Sequence, residues 1–221
     1  MKARIIRTTN RAGDTPLQVA VASGHIELVT LLLKADDFCH DTAHDGDDTV
    51  DEEEYSKKCV DRKNKSGLSP LIVACERNLP SIARILLEHG ADRHARDARG
   101  RSALAVAAFC GCIEVVEYLL YCLDSTADDA SSSSSPSSSS PLLNALDRDG
   151  RTPLWLAART GNLTMTKLLV DAGADATIRD HDSLTPLDVA VKFKKENVIE
   201  YLSTCTSSST AEITNMIGTS S

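Results

Sequence analysis

Asp147-Arg148-Asp149-Gly150-Arg151-Thr152-Pro153-Leu154-Trp155-Leu156-Ala157-Ala158, continued by Gly161-Asn162-Leu163 and closed by Gly173-Ala174-Asp175, reads as two short helices and the turns that frame them. Thr152 is an N-cap by type, since its hydroxyl accepts a hydrogen bond from an orphan N–H of the first helical turn. Pro153 follows at the first helical position, where its missing donor costs nothing. Leu154 to Ala158 form a short apolar helix, and Gly161 ends it in the left-handed conformation. A second helix starts near Asn162 and carries one apolar face. The small alanines permit neighbouring helices to approach closely.

The same phrase recurs along the chain as Thr15-Pro16-Leu17, Ser69-Pro70-Leu71, Ser102-Ala103-Leu104 and Thr185-Pro186-Leu187. With Thr152-Pro153-Leu154 included, the spacings are 54, 33, 50 and 33. A fixed period of this size is the mark of a repeat architecture. The two long spacings are 33 plus 21 and 33 plus 17, so the register survives two insertions. Gly24, Gly111 and Gly161 occupy the helix-stop position, and Asn78 fills it in the second unit. The pattern predicts first helices near 15–23, 69–77, 102–110, 152–160 and 185–193. Second helices should begin near 25, 79, 112, 162 and 195.

These residues resemble the ankyrin repeat, over roughly 10–36, 64–121 and 144–202. The resemblance implies an all-α solenoid of helix–turn–helix units with short β-hairpin or loop fingers. It divides the chain into an N-terminal extension (1–9), repeat one (10–36) and an acidic insertion expected to be disordered (37–63). Repeat two (64–92) and repeat three (93–123) follow. A Ser-rich linker (124–143), repeat four (144–176), repeat five as the C-terminal cap (177–205) and a tail (206–221) complete it. Repeat five departs from the pattern at Lys194 and Glu196, polar changes that suit a terminal unit whose outer face meets water. Repeat three has Ala103 in place of the proline.

The two insertions differ in character. Between Asp36 and Glu54 stand ten acids and no Lys or Arg. The chain holds 32 acids and 24 bases, so removing those ten leaves 22 against 24 and turns a net charge of −8 into +2. The segment has too few large apolar groups to bury a core. It reads as a solvated run, or as an acidic cover for a basic surface elsewhere in the chain. Cys39, His40, His44 and Cys59 fall in it, but their spacing matches no metal motif. No metal site and no cofactor are expected. The second insertion carries Ser131–Ser135, Pro136, Ser137–Ser140 and Pro141. It is a low-complexity spacer whose two Ser-Pro steps have the form of phosphorylation sites.

Seven cysteines, an odd number, include several inside apolar helical patterns, where Cys behaves as a small hydrophobe. A reducing compartment, cytosol or nucleus, is the expectation. The start of the chain is too polar for a signal peptide. No apolar run reaches the roughly 18 residues of a membrane span.

Ankyrin repeats bind partners through their finger tips and the exposed face of the first helices, and the resemblance carries that surface onto five positions per repeat. Across those 25 positions nine bases face four acids. The residues expected to contact a partner are Arg99, Arg101, Phe109, Arg148, Arg151, Arg159, Lys192 and Phe193. Trp155 stands beside them, one turn earlier on its helix, with packing its plainer role. Arginine and exposed rings are favoured at interface hot spots. An acidic or phosphorylated segment with an apolar anchor is therefore the expected ligand. The function implied is a monomeric protein-interaction scaffold or adaptor, not an enzyme, because no spaced catalytic set or phosphate loop stands out. The alternatives are nucleic-acid binding in the basic groove, which the low charge density disfavours, and a regulatory ankyrin part of a larger protein or complex.

Overall fold

The computed structural model describes residues 8–40, 59–124 and 142–205, without the side chains of 36–40 and 122–124. Most of the acidic run, the Ser tract and the C-terminal tail lie outside the described residues, as does His44 of the metal candidates. The described chain falls into two compact units, Met1–Leu119 and Leu120–Ser221.

The first unit holds three helix pairs. They are α1 (Pro16–Ser23) with α2 (Ile26–His40), α3 (Pro70–Glu76) with α4 (Pro80–Glu88), and α5 (Ala103–Cys110) with α6 (Ile113–Asp124), whose last turn crosses into the second unit. The second unit holds α7 (Pro153–Thr160) with α8 (Leu163–Asp171), and α9 (Pro186–Lys192) with α10 (196–205). Every expected helix is present within a residue or two of its expected position.

Each first helix starts on the hydroxyl cap read from the sequence. The side chains of Thr15, Ser69, Ser102, Thr152 and Thr185 accept from the backbone N–H three residues on. Gly24, Gly111 and Gly161 end their helices at φ between 75° and 80°. Asn78 takes the same conformation at φ 53°, and Lys194 follows at φ 55°. For lysine this is a strained choice, and it sits in the terminal repeat.

First helices stack on first helices within each unit: α1 on α3, α3 on α5, and α7 on α9. Leu17, Ala20, Leu71, Ala74, Leu104 and Ala107 line the stack of the first unit, all at most 2% exposed. In the second unit Ala158, Ala190, Val198 and Leu202 form the core, with Leu163 and Val170 packed against it. Among the described residues the only β pairing is one isolated antiparallel bridge, Arg96 to Ser102. The fingers are tight turns rather than strands.

Two boundaries differ from the expected ones. Helix α2 runs on to His40, past the expected end of repeat one at 36. Cys59–Asp61 form a 3-10 turn inside the stretch assigned to the acidic insertion, with Cys59 and Val60 buried against α2 and α3. Leu142 and Leu143, assigned to the Ser-rich linker, are likewise buried. Both apolar pairs stand ten and nine residues before an N-cap, Ser69 and Thr152. Each therefore re-docks the chain at the same register after an insertion. The next residues act alike as well: Asp61 Oδ1 accepts from Asp92 N at 2.8 Å, and Asn144 Oδ1 from Asp175 N at 3.0 Å.

Candidate binding surface

Every finger is built around one Asx residue, five positions before the N-cap. Asn10, Asn64, Asp97, Asp147 and Asp180 each accept, through Oδ1, from the backbone N–H groups two and four residues on, at 2.8–3.0 Å. The side chain does what a strand partner would do, satisfying the N–H groups of the turn. Adjacent fingers are linked by single backbone bonds: Lys65 N to Ala12 O at 3.1 Å, and His181 N to Asp149 O at 3.0 Å. Gly150 is required at that approach, since a Cβ there would lie 2.7 Å from His181 Cδ2.

The expected contact residues separate into two groups, one in each unit. In the first unit, Arg99 is exposed at a finger tip and Phe109 is exposed on α5. Arg101 is not presented in the same way. Its Nε and Nη2 donate to Asp97 Oδ2, each at 2.7 Å, and Nη2 also lies 3.6 Å from Glu76 Oε1. Its side chain is only 15% exposed, so its charge is largely spent on holding the finger against α3. Beside Phe109, Cys110 is exposed and adjoins the buried Cys112, whose thiol donates to the Cys75 carbonyl at 3.0 Å. The Cys112 contact holds the Cys110 thiol down at about 7, with the Arg101 charge assisting. The same contact, with burial, pushes Cys112 up. Burial raises Cys75 to about 12.

In the second unit six residues named from the sequence occur, and four form one ladder. The Arg151 guanidinium lies 4.8 Å from the Trp155 ring centroid and that of Arg159 lies 5.8 Å from it. Arg159 also lies 5.3 Å from the Phe193 ring. The order is Arg151, Trp155, Arg159, Phe193, cations and rings alternating from the finger across α7 to the end of α9. Stacked in this way, guanidiniums keep most of their N–H edges available for an anion. Arg148 and Lys192 are exposed on the same unit. Arg151 Nη1 pairs with Asp149 Oδ2 at 2.6 Å, on a side chain 58% exposed.

Trp155 itself is buried, and its Nε1 has no hydrogen-bond partner among the described residues; nor does the buried Arg151 Nε. The corresponding residue of repeat one, Gln18, shows the contrast. Its Nε2 donates to the carbonyls of Arg62 and Leu68, at 3.0 and 2.7 Å. Two buried donors left unpaired side by side are costly, and they mark the second unit. The sequence named Trp155 but carried no sign of the stacking, nor of Asp149 and Asp97 as partners.

Among the described residues no group of three His, Cys, Asp or Glu side chains is placed to hold a metal, and no helix is long and apolar enough to cross a membrane. The family model for ankyrin repeats (3 copies) matches residues 40–131 and 135–215, and the ankyrin repeat model matches 12–42. The chain is 29% identical to Tyrosine-protein kinase HTK16 of Hydra vulgaris over 145 residues, 66% of this chain and 17% of that protein. It is 28% identical to the Nuclear factor NF-kappa-B p105 subunit of Gallus gallus over 204 residues, 85% of this chain and 19% of that protein. A shorter match, 45% over 62 residues, joins it to Alpha-latrotoxin-Lh1a of Latrodectus hasselti, covering 28% of this chain and 5% of that protein. The chain thus spans less than a fifth of each of these relatives.

Proposed function

Because the chain belongs to the ankyrin-repeat family, a class of protein-interaction module, we propose that it is a non-catalytic adaptor that binds an acidic segment of a partner protein on the second unit. One observation carries this reading: the Arg151–Trp155–Arg159–Phe193 ladder, in which guanidiniums and rings alternate. A carboxylate or phosphoryl group is a strong acceptor for guanidinium N–H, and Phe193 offers an apolar anchor beside it. Asp149, whose side chain is 58% exposed, already pairs with Arg151, and a ligand anion would take over that carboxylate's place on the guanidinium. The cysteines buried as small hydrophobes support a reducing setting, cytosol or nucleus.

Trp155 is the one tryptophan of the chain, so its fluorescence reports directly on the ladder. The intact chain is titrated with a glutamate-rich peptide carrying one leucine, and with the same peptide bearing phosphoserine. Binding should shift Trp155 emission, weaken as salt rises, and fall at least about tenfold in Arg159→Glu, a loss of roughly 1.4 kcal/mol. Affinity indifferent to Arg159→Glu would refute the assignment. Arg101→Glu is a poor probe, because that side chain supports its own finger.

A further inference from the structure

The outer face of repeat one has the chemistry of an interior interface. Val19 is 49% exposed, Leu28 45% and Leu31 64%. The residues at the register of Val19 in repeats two, three and five are Val73, Val106 and Val189; those at the register of Leu28 are Ile82, Val115 and Val198. All six are buried. What covers that register is visible in the second unit, where Val198 and Leu202 of repeat five pack with Ala158, Leu163 and Val170 of repeat four. On repeat one, the equivalent positions Leu28 and Leu32 line an open groove of about 610 Å³ with Pro16 and Val19.

The far end of the chain is different. The residues of repeat five at the register of Ala158, Leu163 and Val170 are Val191, Glu196 and Ser203. Two of the three are polar, as expected where a stack meets water. Repeat one shows no such substitution on its outer face, and a contiguous exposed apolar patch marks an interaction site.

We propose that the outer face of repeat one is the receiving side of a repeat-to-repeat interface. Its partner is the distal face of an ankyrin-type repeat other than the five of residues 10–205. That face carries a small apolar residue, a leucine five positions on and a β-branched residue seven further, the set that Ala158, Leu163 and Val170 present to repeat five. A second copy of this chain does not fit head to tail, because its own distal face bears Glu196 and Ser203. This surface is separate from the basic ladder of the second unit, and neither assignment depends on the other.

The test restores the missing set on the chain's own tail. In the full chain, Glu196→Leu with Ser203→Val gives repeat five an apolar distal face, and the variant serves as its own probe. Sedimentation velocity should show the parent as a monomer and the double variant as head-to-tail oligomers that grow with concentration. Amide exchange in α1 and the first two turns of α2 should slow at least about tenfold once most molecules are paired. Adding Leu28→Glu should return the variant to a monomer with exchange as in the parent. All three substituted positions are exposed or half-buried, and an unchanged helical circular dichroism spectrum confirms that each variant folds. A double variant that sediments as the parent does, or oligomers that survive Leu28→Glu, would overturn the proposal. So would a parent that itself pairs through Leu28, since that assigns the face to a second copy.

Discussion

Asp97→Ala should be among the most damaging single changes outside the helical core, and its cost can be built from its contacts. Asp97 Oδ1 accepts from Arg99 N and Arg101 N, both at 2.8 Å, while Oδ2 takes the Arg101 guanidinium. Removing the carboxylate orphans two part-buried backbone donors, at about 1–1.5 kcal/mol each. It also leaves Arg101, 85% covered, with Glu76 alone at 3.6 Å, adding about 1–2 kcal/mol for a charge-assisted bond. The expected total is about 3–5 kcal/mol. Asp147 is the control. It makes the same two backbone bonds, both at 2.9 Å, yet its finger's ion pair does not involve it, since Arg151 pairs with Asp149. Asp147→Ala should cost only about 2–3 kcal/mol. Asp97→Asn keeps the Oδ1 acceptor and should cost about 1–2 kcal/mol. Urea denaturation followed by circular dichroism gives the three values, and amide exchange at residues 99 and 101 or 149 and 151 localises each loss. Equal costs for Asp97→Ala and Asp147→Ala, or an Asn variant as damaging as Ala, would refute the division between turn and ion pair.

Leu154, fully buried on α7, should lose about 2–5 kcal/mol of stability as Leu154→Ala, read as a lower urea midpoint. Cys110 should be alkylated by iodoacetamide near neutral pH well before Cys59, Cys75 and Cys112, because it is exposed, they are buried, and its thiol is held below the ordinary range; the order in which these four sites are modified, read by peptide mass mapping, checks this. Asp188 is held below the usual carboxylate range, first by the Thr185 N–H and then by its hydroxyl. A lowered pKa supplies stability above the unfolded-state value, and that stability is lost as pH falls through the folded one. The difference in melting temperature between the parent and Asp188→Asn should therefore stand at neutral pH and close below about pH 4.

The helices were legible because each carries its own local signals. A hydroxyl cap, a proline and a left-handed stop act within eight or nine residues, so Thr152 to Gly161 needs no partner to be read. Cys59-Val60 and Leu142-Leu143 were hidden for the opposite reason. Each is a lone apolar pair at the edge of a polar tract, and only its distance to the next N-cap reveals it. The contact surface was legible as a set of positions, not as an arrangement. Arg101 and Arg151 occupy the same register in their repeats, yet one is clasped by Asp97 and Glu76 and the other lies over Trp155. Their neighbours decide this: Trp155 stands where repeat three has Ala105, so a broad ring is available to one guanidinium and a methyl group to the other.

The Asx residue of each finger separates shape from address. With the turn fastened by one side chain to N–H groups two and four residues on, the side chains between those anchors are excused from building it. Ala98 and Arg99, Arg148 and Asp149, and His181 and Asp182 can therefore drift, or be chosen in the laboratory, while the loop that displays them keeps its outline. A change of partner then needs only two or three substitutions per finger. The same logic locates the fragile point: replacing Asn10, Asn64, Asp97, Asp147 or Asp180 by a residue other than Asn or Asp removes the Oδ1 acceptor and alters the outline itself, and with it every contact that finger makes.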